Sequence, residues 1–174
     1  SKHIVVVGSG PSGIESARVL TERGHRVTLI DKADRLGGTM WFSTMTTPDN
    51  ERLLRWLKSE LKRLRVAVKL NTPATVETIR ALNPDHIIVA TGAVRPKPDM
   101  PGGDLPNVQT GDTLRAIMLG TATAAEAGLV LSTMGKLGRL SGLTKSPEFI
   151  RQFPTYWLPM GKNVLVFGGP LVGL

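Results

Sequence analysis

Residues 4–13 read I-V-V-V-G-S-G-P-S-G, a run of branched side chains followed by three glycines spaced G-x-G-x-x-G. The helical pattern Ile14, Ala17, Val19, Leu20 comes next and closes at Gly24. Strand, glycine turn and helix in that order restrict the fold more than any other feature of the 174 residues. Gly8 allows the tight turn. A side chain at Gly10 would block the approach of a phosphate group to the backbone, and one at Gly13 would push the helix off the strand. Pro11 costs little at the first helical position, because first-turn N–H groups have no helical partner. Those free N–H groups and the positive end of the helix dipole favour an anion.

Arg26 to Ile30 forms a second buried strand with Asp31 at its carboxyl end, 21 residues after Gly10, so the first 31 residues make one βαβ unit. An acid there can accept hydrogen bonds from both hydroxyls of a ribose, and it repels a 2′-phosphate. FAD, NAD or ADP is therefore favoured over NADP at this loop. Read alone, Asp31 also suits a helix cap or a surface position, and Gly37-Gly38 and Thr91-Gly92 suit ordinary turns.

Further along, Val66 to Leu70 and His86 to Ala90 read as strands flanking the first two. Between Glu51 and Arg65, the side chains of Leu53, Leu54, Leu57, Leu61 and Leu64 fall within about 100° of a helix, while Arg52, Arg55, Lys58, Lys62, Arg63 and Arg65 point away. The Gly37-Gly38 loop and the Thr/Pro-rich stretch Ser43 to Asp49 lead into this basic helix. Alternating strands and helices predict an α/β fold: a Rossmann-like parallel sheet with helices on both faces, in three layers. After Gly92 the prolines at 96, 98, 101 and 106, with Gly102 and Gly103, predict a covering loop or connector. Short helical patterns follow at Asp112 to Leu119, Thr123 to Leu131 and Pro147 to Phe153. Asn163 to Phe167 reads as a new buried strand entering a second glycine cluster, 168–173.

Composition narrows the chemistry. With no cysteine, these residues hold no disulfide scaffold, no Cys-ligated metal and no redox dithiol, so redox chemistry needs a bound cofactor. His3, His25 and His86 are far apart, show no apparent partners and lack metal-ligand spacing. No acid–base pair is evident, Tyr156 being the single tyrosine, so no catalytic residue is assigned. The apolar runs are too short to cross a bilayer, and a soluble, cytoplasmic chain is expected. The net charge of +8, from 22 basic and 14 acidic residues, is concentrated on the basic helix. With few aromatics interleaved, it reads as a solvated face and not as a nucleic-acid surface.

Taken together, V-V-V-G-S-G-P-S-G at 5–13, the acid at 31, R-L-G-G at 35–38, I-I-V-A-T-G-A at 87–93 and V-L-V-F-G-G-P-L-V-G at 164–173 resemble the two-dinucleotide-binding-domain flavoproteins. L-L-R-W-L-K-S-E-L-K-R-L at 53–64 with V-A-V-K-L-N-T after it, and L-T-K-S-P-E-F-I-R-Q-F at 143–153, are most similar to the C-terminal half of Old Yellow Enzyme-like reductases. That group includes 2,4-dienoyl-CoA reductase, 2-enoate reductase and trimethylamine dehydrogenase relatives.

The resemblance implies a site for the ADP part of FAD, or for ADP alone as in the trimethylamine dehydrogenase branch. Gly8, Gly10, Pro11, Ser12 and Gly13 would carry the pyrophosphate turn, and Asp31 with Lys32 the ribose end, where the family often has Glu. Arg35, Gly37 and Gly38 match the loop beside the cofactor, Ala74 falls near the adenine, and Ala90, Thr91 and Gly92 match the segment closing over the nucleotide. It further implies an upstream flavin barrel domain as partner, with NAD(P)H used only by the full-length protein. In the second cluster Pro170 stands where the family has glycine, and no working second site is expected. The start without methionine and the stop at Leu174 suggest a fragment: a FAD/ADP-binding domain over 1–110, a helical connector over 111–160 and the opening of an NAD(P) domain over 161–174. Enzymatic activity by this piece alone is not expected. Apolar surfaces uncovered by such a truncation are candidates for homodimer formation.

Overall fold

A computed structural model of the chain describes residues 1–93, 99–105, 107–146, 148, 151–152 and 163–166. Two compact units divide it, Ser1–Asp112 and Thr113–Leu174.

The first unit holds β1 (His3–Val7), α1 (Pro11–Glu22), β2 (Arg26–Ile30), α2 (Gly38–Thr46), α3 (Pro48–Arg63), β3 (Ala67–Lys69), α4 (Val76–Leu82) and β4 (His86–Val89). All four strands pair in parallel in the order β3-β2-β1-β4, so the two later strands do flank the first two. The steps from β1 to β2 and from β2 to β3 run one way across the sheet, and the step to β4 runs back. Right-handed crossovers then put α1 and α3 on one face and α4 on the other. On the α4 side Val5, Val7 and Ile30 form a buried cluster against Ile79 and Leu82. The opposite face carries Ile4, Val6, Val27 and Leu29, all buried, as are Ile14 and Ala17 of α1 and Leu54, Leu57 and Leu61 of α3.

Two helices were not expected from the sequence. Ser43 to Asp49 is not a plain linker, because most of it belongs to α2, whose Trp41 and Thr44 are buried. Pro48 has no N–H to continue that helix, so it opens α3 as a first-turn residue instead. The second is α4, only seven residues long and with no buried residue; its start is marked by Thr75, whose hydroxyl accepts the Thr78 N–H at 3.1 Å. Such a short helix gives too few turns for a clear period.

Within α3 the basic face is as expected, but Leu53 is 44% exposed while Leu57 is 4%. Leu53 sits at the edge of the apolar arc, where the arc meets solvent. Several of the helix's cations meet carboxylates: Arg52 with Asp49, Arg55 with Glu51, and Arg63 with both Glu60 and Glu22. From α1, Arg18 pairs with Glu15 and Glu22 and lies 5.6 Å from the Trp56 ring, so ionic and cation–π contacts join the two helices at their solvent side.

His3 also departs from expectation. It is buried in β1 with its Nε2 3.0 Å from the Thr28 hydroxyl and its Nδ1 3.4 Å from the Asn83 carbonyl, and its N–H donates to Asp85 at 2.7 Å. The partners come from β2 and from the turn before β4, which only the sheet order brings alongside. Asp85 ties the start of β4 to β1, and the N–H of His3 holds its carboxyl below the ordinary 3.8.

In the second unit, α5 (Gly111–Leu119, which begins at the unit boundary) and α6 (Ala124–Leu140) are followed by a 3-10 turn at Leu143–Lys145. α6 runs past the expected Leu131 but is broken at Gly128, where φ is 76° and ψ 161°. A Cβ on Gly135 would lie 2.9 Å from the Gly120 Cα, so the chain after α5 and the middle of α6 touch backbone to backbone. Val164, Leu165 and Val166 are exposed and form no strand, which corrects the buried strand expected there; among the described residues no neighbour offers them a ladder of hydrogen bonds. The helix expected at Pro147 to Phe153 falls mostly, and the glycine cluster at 168–173 wholly, outside the described residues, as do Tyr156 and the prolines at 96, 98 and 106.

Three substitutions test these contributions to stability. Leu57→Ala should cost about 2–5 kcal/mol in urea unfolding, and Leu53→Ala should stay within about 0.5 kcal/mol of the parent. Because the folded-state pKa of Asp85 is depressed, its contribution is complete above the unfolded value and is lost as pH falls through the lower folded one. Asp85→Asn should therefore flatten the acid limb of a stability–pH profile below about pH 4.

Candidate functional site

The direction of strand steps reverses between β1 and β4, and in open parallel sheets the crevice outside the carboxyl ends at such a point is where ligands bind. The glycine turn occupies that position. Gly8 has φ +103°, and a Cβ there would run into the Ala90 carbonyl and lie 3.1 Å from the Thr91 Cα. A Cβ on Gly13 would run into the Gly8 carbonyl and lie 3.4 Å from the Ala90 Cβ. Both glycines are thus demanded by the protein's own packing, where the turn, α1 and the end of β4 crowd together.

Gly10 is different. A Cβ at that position would meet nothing within 4 Å. Its φ of −70° and ψ of −179° suit any residue, so neither packing nor backbone conformation calls for glycine. The space it leaves lies at the start of α1, where no side chain caps the helix. The first helical hydrogen bond runs from the Ile14 N–H to the Gly10 carbonyl, so the amides of Ser12 and Gly13 precede the ladder. Open space over a glycine at an uncapped helix start is a cradle suited to a phosphate.

Asp31 closes one side of this cradle. Its Oδ2 accepts the N–H and the hydroxyl of Ser9, each at 2.6 Å, and its Oδ1 accepts the Ala33 N–H at 2.8 Å. From sequence Asp31 suits a ribose partner, a helix cap or a surface position; here its carboxylate ties the end of β2 to the glycine turn. Ser9, fully buried, was not singled out from sequence. The available signal was a small hydroxyl residue between the first two glycines, 22 positions before the acid.

The 35–38 loop forms the neighbouring wall. The Gly37 N–H donates to the Ser9 carbonyl at 2.8 Å, and a Cβ on Gly38 would stand 2.9 Å from the Gly10 Cα. Arg35 binds Asp34 at 2.8 Å and lies over the buried Trp41 ring at 4.8 Å. Half-buried Lys58 adds positive charge near this wall, its pKa lowered by burial and by the neighbouring charges of Arg35 and Lys62. The structure thus brings together Gly8, Gly10, Pro11, Gly13, Asp31, Gly37, Gly38, Ala90 and Thr91, with Arg35 behind the wall. Lys32 and Gly92 are exposed on the same loops, and Ser12 is exposed in the first turn of α1. Ala74 is exposed two residues beyond Thr72, whose N–H donates to the Asp31 carbonyl at 2.8 Å. Among the described residues no group of three His, Cys, Asp or Glu could hold a metal, and no helix is long and apolar enough to cross a membrane.

The sequence model of the pyridine nucleotide-disulphide oxidoreductases matches residues 2–174. The chain belongs to that family. With no cysteine, its residues carry no redox disulfide of their own. A bilirubin reductase of Mediterraneibacter gnavus is 40% identical over 62% of this chain and 17% of its own length. The multifunctional alkene reductase/demethylase OYE of Caballeronia cordobensis is 31% identical over 60% of this chain and 16% of its own. Among solved structures, a 2-naphthoyl-CoA reductase superposes with a TM-score of 0.64 at 34% identity, covering 71% of this chain and 18% of that one. The resemblance to Old Yellow Enzyme-like flavoproteins therefore stands, and the chain spans less than a fifth of the length of these relatives.

The two kinds of glycine separate in experiment. Gly13→Ala should lower stability by about 1–3 kcal/mol in urea unfolding. Gly10→Ala should leave stability within about 0.5 kcal/mol while weakening any nucleotide held at the turn.

Proposed function

We propose that the chain binds the ADP moiety of FAD, as the nucleotide-binding part of a flavin-dependent oxidoreductase that moves electrons between NAD(P)H and an activated C=C or similar substrate. The observation that supports it best is the open space over Gly10, framed by the uncapped start of α1 and by Asp31.

In this reading the amides of Ser12 and Gly13 and the dipole of α1 take the pyrophosphate, and Gly10 lets it come close. Gly8 and Gly13 keep the turn packed on β1 and β4. The carboxylate of Asp31, already holding three hydrogen bonds, has acceptor capacity left for a ribose hydroxyl, and its charge disfavours a 2′-phosphate. Lys32, Arg35, Gly37 and Gly38 border the ribose side, Ala74 the adenine, and Ala90 to Gly92 the face opposite. When bound, the flavin supplies two-electron transfer between the nicotinamide and the substrate. Residues 1–110 form the FAD/ADP domain in this account, 111–160 a connector and 161–174 the opening of an NAD(P) domain. The flavin barrel lies on another part of the parent protein.

A second reading is a non-catalytic module that holds ADP alone. It rests on the glycine turn and Asp31 accounting for an ADP moiety and no more. Calorimetric titration of the chain with FAD, ADP and NAD tests both. FAD and ADP should bind, with Gly10→Val and Asp31→Ala each weakening them about tenfold or more. Flavin colour retained through purification favours the first reading, and ADP binding without flavin favours the second. A folded chain that binds none of the three overturns both.

A further inference from the structure

Ser9 is fully buried, yet each of its polar groups is spent on a neighbouring segment. Its N–H and hydroxyl both donate to Asp31 Oδ2, and its carbonyl accepts the Gly37 N–H. The residue thus joins the glycine turn, the end of β2 and the second glycine pair, which are the three walls of the cradle. Hydrogen bonds to an ionised acceptor are the strong ones, and a carboxylate held by two donors at one oxygen and a third at the other has little rotational freedom. The same atoms that orient Asp31 also hold the turn against β2 with no ligand required.

We infer that Ser9 is a positioning residue for the nucleotide: acting through Asp31, it pre-forms the cradle so that little ordering remains when the ligand arrives. The inference rests on the nucleotide reading above and adds to it a residue that need not touch the ligand. Ser9→Ala keeps the backbone N–H bond and removes only the hydroxyl, with no added bulk. A ligand site that is ordered in advance loses less entropy on binding, so loosening it appears as lost affinity.

ADP titration of the 174-residue chain, Ser9→Ala, Asp31→Asn and the double variant tests this, together with amide hydrogen exchange of the ligand-free proteins. Ser9→Ala should weaken ADP about tenfold. In the Asp31→Asn background it should change affinity by less than about twofold, since the two residues act as one unit. Exchange should quicken at Ser9, Ala33 and Gly37 while Val6 and Leu29 in the strands stay protected. Parental ADP affinity in Ser9→Ala overturns the positioning role and leaves the nucleotide reading intact. Equal losses in both backgrounds, or unchanged exchange at the three amides, likewise overturn it. A folded parent chain that binds neither ADP nor FAD removes the nucleotide reading, and the role of Ser9 with it.

Discussion

The contact of Gly13 with the carbonyl of Gly8 is the constraint on which the rest of the first unit hangs. It seats α1 on the turn that leaves β1, and Gly8 in turn presses against Ala90 at the end of β4. No side chain fits at either place, so the carboxyl ends of β1 and β4 and the start of α1 approach one another backbone to backbone. The uncapped helix start consequently opens at the point where the sheet reverses direction, the position at which an anion gains most from unpaired amides and the helix dipole.

Around that seat the polar groups are arranged economically. Asp31 and Ser9 bind one another and so connect β2 to the turn, while Gly37 and Gly38 bring a second loop into contact with Ser9 and Gly10. Away from the site, the cation–π contact of Arg18 with Trp56 and the ion pair of Arg63 with Glu22 link α1 to α3, and Ile14, Ala17, Leu54, Leu57 and Leu61 of the two helices are buried. Several of the cations that give α3 its basic face are thereby met by carboxylates. At the other edge Ile87 and Val89 of β4 are 49% and 73% exposed, a face that the described residues leave uncovered.

Much of this was legible in the sequence because it is local. The branched run at Ile4 to Val7, the G-x-G-x-x-G spacing and an acid 21 residues beyond Gly10 specify a βαβ unit with one kind of turn, and the leucine spacing of α3 specifies its buried face. What was missed lacked a period. The helix α2 hides in a threonine-rich stretch of weak pattern, α4 is too short to repeat, and Leu53 lies where the apolar arc meets solvent. Val164 to Val166 show the converse, since an apolar run predicts a buried strand only where a neighbouring strand can pair with it.

By itself, then, the sequence determined the α/β class, the parallel strands, the glycine turn and the acid that follows β2, because strand and helix periods and the steric demands of glycine act within a few residues. Only the tertiary structure decided which glycines serve packing and which leaves space: Gly8 and Gly13 are filled by β4 and by the turn itself, while Gly10 faces open space. It likewise decided that Asp31 is held by Ser9 and that His3 is paired with Thr28, because those partners lie 22 and 25 residues apart along the chain and meet only when β2 lies beside β1.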